Sequence, residues 1–249
     1  MVQIENSVNP IPDDKDVNNP HNNIKLAMRF KFKKVGKLQY ISHLDLVRTM
    51  NKILVRSKLP LWYTEGFNPK PKMVFAAPLS IGAESYCEFM DVRLTKRITP
   101  EEAMNALNLN MTDEMQVIEV YYPDSKFTEL KWISYSIIIR TNGASEELAQ
   151  KAQKLLTTSP LVLTKKSKSG EKEVDIIPFI KSISAEYDAK KDSVDIKTTV
   201  KASSTEYLNP ELIVTGLRKY LGVLSGDPVT EYYSIMRTAI FKEDMTEFR

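Results

Sequence analysis

The sequence predicts an α+β fold built from two tandem ferredoxin-like (βαββαβ) units with antiparallel sheets. Three observations support this class: strand-like alternation of apolar residues, two helical segments in each half, and a chain length of 249 residues. Two α+β units of about 100 residues each fit that length. The predicted divisions are a disordered tail at 1–24, a first unit at 25–125 and a second unit at 126–249.

Composition and periodicity indicate the tail and the first two elements. Residues 1–24 are rich in Asn, Asp and Pro and lack a periodic apolar pattern, which is typical of disorder. From Lys25 to Lys33, apolar residues alternate with others that include three basic ones, the period of two of a half-buried strand. From Ser42 to about Ser57, apolar residues recur with a helical period and charged residues gather on the opposite side.

Helix-start signals place the rest of the first unit. Thr99-Pro100 before two glutamates is a strong helix opening, because Pro suits the first turn and acids suit the positive end of the helix dipole. That helix is predicted to end near Asn108. The predicted strands of this unit after the first are 72–77, 86–94 and 115–122.

The second unit is predicted to repeat this order, although the halves share a pattern and no obvious sequence similarity. The tract 165–173 is predicted to be a charged hairpin or loop. The predicted helices are 145–156 and 210–221. The predicted strands are 132–140, 161–164, 180–187, 193–200 and 232–241.

Composition excludes several classes of protein. No apolar run approaches the roughly 18 residues that a membrane span needs, and residues 1–23 lack the apolar centre of a signal peptide. The single Cys87 excludes an internal disulfide, an iron–sulfur cluster and a cysteine-based zinc site built by this chain alone. His21 and His43 leave little for a histidine-based metal site. We therefore expect a cytoplasmic protein that has no membrane contact and no metal or cofactor of its own.

Basic and acidic residues are concentrated in different segments of the chain. Residues 25–72 hold twelve Lys and Arg against two acidic residues, a net charge of +10. Residues 73–130 hold four basic and ten acidic residues, a net charge of −6. This sorting suggests a basic face for a polyanion, and a solvated surface whose charges are merely grouped in sequence is the alternative.

The segment Ser42-His43-Leu44-Asp45 combines a helix start with two chemically capable side chains. Ser42 is a good N-cap, and Asp45 stands at the third helical position, the spacing of a capping box. Asp45 is therefore either structural or catalytic. His43 stands at the positive end of the helix, which favours the neutral ring and suits hydrogen bonding or a general-base role. A packed, hydrogen-bonded histidine is the alternative.

The loop from Thr64 to Lys72 is the best candidate binding site. Pro69 and Pro71 stiffen its backbone, and Gly66 permits positive φ. Rigid lysines beside aromatic rings suit nucleic acid or a phosphorylated ligand, and they equally suit a docking loop for another protein. The residues expected to contact the ligand are Lys70, Lys72, Phe67 and Asn68, with Trp62 as a second flat surface.

Glu88 is predicted to lie in an unusual environment. It shares a side of its predicted strand with Met90, Val92 and other apolar residues. An acid on an apolar face must be paired, protonated or placed at the edge of a cleft. The candidate partners are Lys70, Lys72 and His43. A shift of the strand by one residue would instead turn Glu88 outward.

The first strand places Arg29, Lys31 and Lys33 on one face. In a ferredoxin-like unit, helices cover one face of the sheet and the other stays free, so these residues predict a basic open face of the kind that RNA-binding modules use. The paired surface aromatics of an RRM signature are missing, so the RNA hypothesis depends on charge more than on a motif.

Several short motifs together resemble the radical SAM-linked (radical SAM-associated) protein family of unknown function. The resemblance runs from about Arg29 to the end of the chain and is densest over 29–94. It is carried by Tyr40-Ile41-Ser42-His43-Leu44-Asp45, Glu65-Gly66-Phe67-Asn68-Pro69-Lys70-Pro71, Pro78-Leu79-Ser80-Ile81-Gly82, and Glu84, Ser85 and Glu88.

In that family the domain occurs alone or as the C-terminal part of a larger protein with a cobalamin-binding radical SAM enzyme at its N-terminus. This chain has no three-cysteine cluster motif and so resembles the stand-alone form. The resemblance implies an accessory protein that works with a separate radical SAM enzyme. The iron–sulfur cluster, SAM and cobalamin would then be on that partner. The resemblance assigns no catalytic residue.

The leading functional prediction is a non-enzymatic module that docks onto a radical SAM partner. It would recognise RNA or another phosphorylated substrate through Arg29, Lys31, Lys33, Lys70 and Lys72. The residues predicted to line a shared cleft are His43, Asp45, Glu65, Asn68 and Glu88. Two alternatives stay open: a metal-independent RNA-processing enzyme with His43 as general base, and a protein–protein adaptor that binds no nucleic acid.

Overall fold

The computed structural model describes residues 26–158, 160–167, 170–203 and 205–249. The predicted disordered tail at 1–24 lies outside these residues. The first half forms β1 (Leu26–Lys34), α1 (His43–Ser57), β2 (Met73–Phe75), β3 (Ala83–Leu94), α2 (Pro100–Asn108) and β4 (Val117–Tyr121). Short 3-10 helices follow β1 at Gly36–Tyr40 and β4 at Phe127–Glu129.

The second half begins with β5 (Trp132–Arg140) and α3 (Glu146–Thr157). A hairpin of β6 and β7 occupies the tract predicted to be a charged hairpin or loop. The elements of this half after α3 are β6 (Val162–Ser167), β7 (Gly170–Asp175), a 3-10 helix (Ile177–Phe179), β8 (Ile180–Asp188), β9 (Ser193–Lys201), α4 (Glu211–Leu221) and β10 (Tyr232–Phe241).

Eight strands form one sheet in the order β4-β1-β3-β10-β5-β9-β8, with β2 paired to β3. Among the pairings of this sheet, β3 and β10 run parallel and the others run antiparallel. The prediction of a mixed α+β fold with antiparallel pairing is therefore confirmed at that level. The sequence prediction placed a sheet in each unit, and the β3–β10 pair instead joins the two halves in one sheet.

The helices begin where the sequence signals place them. The side chains of Ser42, Thr99 and Ser145 each accept a hydrogen bond from a backbone N–H in the first turn of α1, α2 and α3. Such caps satisfy donors that the helix leaves without partners, and each stabilises a helix by about 1 kcal/mol. α4 has Pro210 at its N-cap position and ends at Gly222, which adopts positive φ of 70°.

Two apolar clusters form the core. One lies between the first-half strands and α1 and α2, and it includes Phe30, Phe32, Met50 and Leu54, all without exposed surface. The other lies mainly in the second half and extends to Phe89 of β3. Each fully buried side chain of this size contributes about 1.5–3 kcal/mol by leaving water. The alternation of β1 thus buries its even-numbered side chains against the helices.

Candidate functional site

The predicted binding loop is the tip of a short hairpin. The backbone N–H of Thr64 donates to the carbonyl of Lys70 at 2.8 Å, and that of Lys72 donates to Trp62 at 2.8 Å. The hairpin is anchored on β3 because the N–H of Trp62 donates to the carbonyl of Arg93 at 2.9 Å. These bonds hold the tip, Glu65 to Pro69, on a defined stem.

The tip presents an aromatic ring and a lysine to solvent. The Phe67 side chain is fully exposed, with a relative accessibility of 111%. Lys70, Glu65 and Asn68 are also exposed. An apolar ring that is entirely in water contributes nothing to the core, and it stands near the exposed lysine at the end of the hydrogen-bonded stem.

Lys72 lies on the stem of the hairpin and not at its exposed tip. It is half-buried, and its Nζ lies 4.3 Å from the centroid of the Trp62 ring, a cation–π contact. Trp62 is therefore covered by Lys72 and is not the free stacking surface that the sequence suggested. Phe67 and Lys70 are the exposed aromatic and basic residues at the hairpin tip.

The start of α1 confirms the cap and shows what Asp45 does. The Ser42 hydroxyl accepts a hydrogen bond from the Asp45 N–H at 3.1 Å and donates to the Asp45 carboxylate at 2.7 Å. Arg48 donates to the same carboxylate at 3.2 Å. The Ser42 hydroxyl and the Arg48 guanidinium lower the pKa of Asp45. These contacts account for Asp45 as a structural residue.

His43 is exposed at the first turn of α1, so it is not the packed histidine that the sequence left as an alternative. Its ring meets Phe75 of β2 edge-on, with 5.4 Å between ring centroids. The ring is therefore oriented by one aromatic neighbour and open to solvent, a position from which it can reach a ligand.

Glu88 is buried and paired, as an acid on an apolar face must be, but its partner was not foreseen. Its carboxylate accepts a hydrogen bond from Arg237 of β10 at 2.8 Å, and the two side chains are 5% and 1% exposed. The candidate partners Lys70, Lys72 and His43 are not the ones that neutralise it. Because Glu88 is buried, it does not line an open cleft.

Arg237 extends this buried network to the surface loop before β3. Its guanidinium donates to the carbonyls of Ala77 at 2.8 Å and Pro78 at 3.4 Å, and to the Tyr135 hydroxyl at 3.3 Å. Burial disfavours the charged guanidinium, but the Glu88 carboxylate, Tyr135 and Cys87 together more than offset this, so the pKa of Arg237 lies above its ordinary value. The network thus fixes the Ala77–Pro78 backbone.

Arg29, predicted to lie on an open basic face, is completely buried at 0% exposure. Its guanidinium donates to both carboxylate oxygens of Asp91, at 2.7 and 2.9 Å, and to Ser125. The rings of Phe127 and Phe248 cover it, with centroids 4.5 and 4.7 Å from Cζ. Its charge is neutralised inside the protein, so Arg29 is corrected to a structural residue.

The other basic side chains on this face of β1 are also partly buried. Lys31 is half-buried and forms an ion pair of 3.0 Å with Glu247. Lys33 is half-buried further along β1. The segment that supplies Glu247 and Phe248 therefore covers much of the face that was predicted to be free, and the basic open face is wrong for Arg29 and Lys31.

The predicted shared cleft is not assembled from all its members. Glu65, Asn68, Phe67 and Lys70 lie together at the hairpin tip. His43 and Asp45 lie at the start of α1, beside Phe75 of β2. Glu88 lies inside the protein. The structure thus gives two exposed groups, one at the hairpin tip and one at the helix start, and a separate buried ion pair.

Sequence reasoning missed a cavity of about 610 Å³. Its walls come from three parts of the chain that are distant in sequence: the segment Ala77 to Ser80, the region of the second 3-10 helix, and the turn after β9. One signal was present, since Pro78-Leu79-Ser80 belongs to the motifs that carry the family resemblance. The lining residues outside that segment are Phe127, Thr128, Leu130, Ala202, Ser203 and Tyr207.

In the part of the chain that the structure describes, no three or more His, Cys, Asp or Glu side chains are grouped so that they could hold a metal ion. Within the same residues, no helix has the length and apolar character to span a membrane.

Comparison with known proteins gives weak structural likenesses. The chain superposes on a Cbf5-Nop10-Gar1 complex structure with a TM-score of 0.43 and 14% identity, covering 86% of this chain and 50% of that chain. An unknown protein from Galdieria sulphuraria gives 0.26 and 10%, covering 86% and 98%. A putative glycine cleavage system transcriptional repressor gives 0.25 and 8%, covering 86% and 99%. The chain thus spans half the length of the first of these.

The family comparison is more definite. No curated protein matches the chain. The family model DUF2344, described as an uncharacterized protein conserved in bacteria, matches residues 27–210. That range includes α1, the hairpin tip, the Ala77–Ser80 segment and Glu88. The chain therefore belongs to the DUF2344 family of uncharacterized conserved bacterial proteins.

Proposed function

We propose that this protein is a non-enzymatic recognition module that binds RNA or another phosphorylated substrate and works with a separate radical SAM enzyme. The observation that carries the proposal is the hairpin tip, where a fully exposed Phe67 stands beside an exposed Lys70 on a hydrogen-bonded stem. Asn68 and Glu65 border this pair and would make polar contacts.

Such a tip has the chemistry that single-stranded nucleic acid requires. An aromatic ring can stack on any base, at about 1–3 kcal/mol per base, and a lysine beside it can meet a phosphate. Because the stem is already ordered by backbone hydrogen bonds, binding would cost less conformational entropy than with a loose loop.

A second basic surface adjoins the hairpin along the chain. The outer side of α1 and the residue after it expose Lys52, Arg56 and Lys58. Lys58 precedes the hairpin stem by only a few residues, so these exposed cations belong to the same basic segment of the sequence as Lys70. We therefore assign the phosphate-binding role that the sequence gave to Arg29 and Lys31 to the hairpin and α1.

Binding of a labelled single-stranded RNA, followed by fluorescence anisotropy, tests the proposal. The double variant Phe67→Ala/Lys70→Ala should bind at least about tenfold more weakly, and wild-type affinity should fall with rising salt. The matched control is Lys190→Ala/Val229→Ala, which removes an exposed lysine and an exposed apolar residue in the second half. Equal affinity of the loop variant and wild type would show that the hairpin is not the binding site.

The link to a radical SAM enzyme is supported by the family resemblance of the motifs over 29–94. The chain has one cysteine, Cys87, and it is buried. A three-cysteine cluster motif would therefore have to be supplied by the partner, together with SAM and cobalamin. A cytoplasmic location, where the thiol stays reduced, belongs to this proposal.

Two other functions remain as candidates. The exposed His43 at the start of α1 favours an RNA-processing enzyme with that ring as general base. In that case His43→Ala would abolish RNA cleavage without loss of folding, and unchanged cleavage would eliminate this function. The exposed Phe67 equally suits a protein–protein adaptor, which requires a protein complex that survives nuclease treatment.

We also propose that the two halves are ferredoxin-like units. The strand orders support this: β4-β1-β3-β2 in the first half and β10-β5-β9-β8 in the second place corresponding strands at corresponding positions. In this interpretation the β6–β7 hairpin is an insertion in the second unit. An experimental structure with a different strand order in either half would contradict it.

A further inference from the structure

We propose that the cavity beside the Ala77–Ser80 segment binds an uncharged small molecule that carries a planar ring. Its volume of about 610 Å³ lies within the roughly 300–1,000 Å³ of small-molecule sites. It shares no lining residue with the hairpin tip or with the start of α1, so this inference is independent of the proposed function.

The residues that line the cavity indicate that its ligand is uncharged. Leu79, Phe127 and Leu130 supply apolar surface, and none of the residues that line the cavity in the described chain carries a formal charge. A charged ligand would give up its hydration there without gaining an opposite charge. The cavity therefore favours a neutral molecule.

The shape and polarity of the ligand follow from the aromatic and hydroxyl groups. Phe127 and Tyr207 are the aromatic residues that line the cavity, and aromatic rings pair favourably in stacked or edge-on arrangements. Tyr207 brings a hydroxyl group that can donate to or accept from polar atoms at the edge of a ring. The Ser80 hydroxyl donates to Asn209 at 3.4 Å and can accept from such atoms, whereas that of Ser203 is bonded to Glu206.

Hydrogen bonds within the protein hold the walls of the cavity. The fully buried Arg237 donates to the carbonyl of Ala77, and Ala202 pairs with Tyr207 in an antiparallel bridge. The N–H of Leu130 donates to the carbonyl of Phe127 at 3.3 Å. Binding to such a site requires little ordering of the protein, which favours affinity.

Fluorescence titration with two aromatic ligands tests this site. N-phenyl-naphthylamine is uncharged, and anilinonaphthalene sulfonate has a related ring system with a negative charge. Two variants act on the cavity: Leu79→Arg places a charge in an apolar wall, and Thr128→Trp fills space at an exposed lining position. The control, Thr164→Trp, adds the same side chain at an exposed position outside the cavity. Thermal melts establish that each variant is folded.

The expected result is that wild type and the control bind the uncharged compound more tightly than the sulfonate. Each cavity variant that folds should bind the uncharged compound at least about tenfold more weakly, about 1.4 kcal/mol. The proposal is overturned if wild type does not bind the uncharged compound, if the sulfonate binds more tightly, or if a folded cavity variant binds like the control.

Discussion

Glu88 and Arg237 form a buried ion pair across the boundary between the two halves of the sheet, with 2.8 Å between Oε1 and Nη1. They lie 149 residues apart in sequence, on the strands β3 and β10 that run parallel at this boundary. The pair therefore ties the first half of the sheet to the second. It also orients the guanidinium that holds the Ala77–Pro78 wall of the cavity.

Removal of Glu88 should be strongly destabilising. Glu88→Ala leaves the Arg237 charge buried without a partner, and loss of one member of a buried pair costs about 3–5 kcal/mol. Urea unfolding of the variant and wild type measures this. Glu147→Ala, which breaks an exposed pair with Lys151, is the control and should unfold close to wild type. A Glu88→Ala protein as stable as wild type would contradict the structural role.

Substitution of two phenylalanines by alanine should affect the stability of the fold very differently. Phe248→Ala opens a cavity beside the buried Arg29 and should cost about 3–5 kcal/mol. Phe67→Ala removes a ring that is entirely in water and should leave the stability unchanged. Thermal or urea unfolding distinguishes them. If Phe67→Ala destabilised the fold as much as Phe248→Ala, the exposed position of the hairpin ring would be wrong.

Cys87 should be unreactive in the folded protein. Its thiol is buried, and burial raises its pKa to about 12, so almost none of the nucleophilic thiolate is present near neutral pH. Iodoacetamide should label the native chain slowly and the urea-unfolded chain fast. Equal rates in both states would show that the thiol is accessible.

The same shift predicts a loss of stability at alkaline pH. The thiol ionises near its ordinary pKa of 9.0 when unfolded and near 12 when folded, so between these values the unfolded state has lost a proton that the folded state keeps. Stability falls with rising pH in this window, by about 1.4 kcal/mol at one unit above the unfolded pKa. The stability difference between wild type and Cys87→Ala should change by that amount, and a constant difference contradicts it.

Local signals in the sequence were enough to predict the helices, most of the strands and the helix caps. The alternation in β1 predicted that Leu26, Met28, Phe30 and Phe32 are buried, although not that Arg29 is. Ser42 and Thr99 cap their helices as the spacing indicated. The acid at position 88 was expected to need a partner or a special environment, and it has a partner. Each of these expectations was drawn from residues within a few positions of one another.

Partners from distant parts of the chain could not be predicted. Arg29 is neutralised by Asp91 and Lys31 by Glu247, which lie 62 and 216 residues away. The net charge of one segment includes its lysines and arginines, but it leaves out the acidic residues from other segments that pair with them in the folded protein. The pairing of β10 with β3 is equally remote, so Arg237 and the composite cavity stayed hidden.

The most direct test of the recognition account is an anaerobic affinity purification of tagged wild type and of Phe67→Ala/Lys70→Ala from the native host, each with and without nuclease. We expect wild type to retain RNA without nuclease, and a protein with a radical SAM three-cysteine motif in both conditions. The variant should lose the RNA because it lacks the exposed ring and lysine. If wild type retains neither, or if the variant retains the same RNA, the account is contradicted.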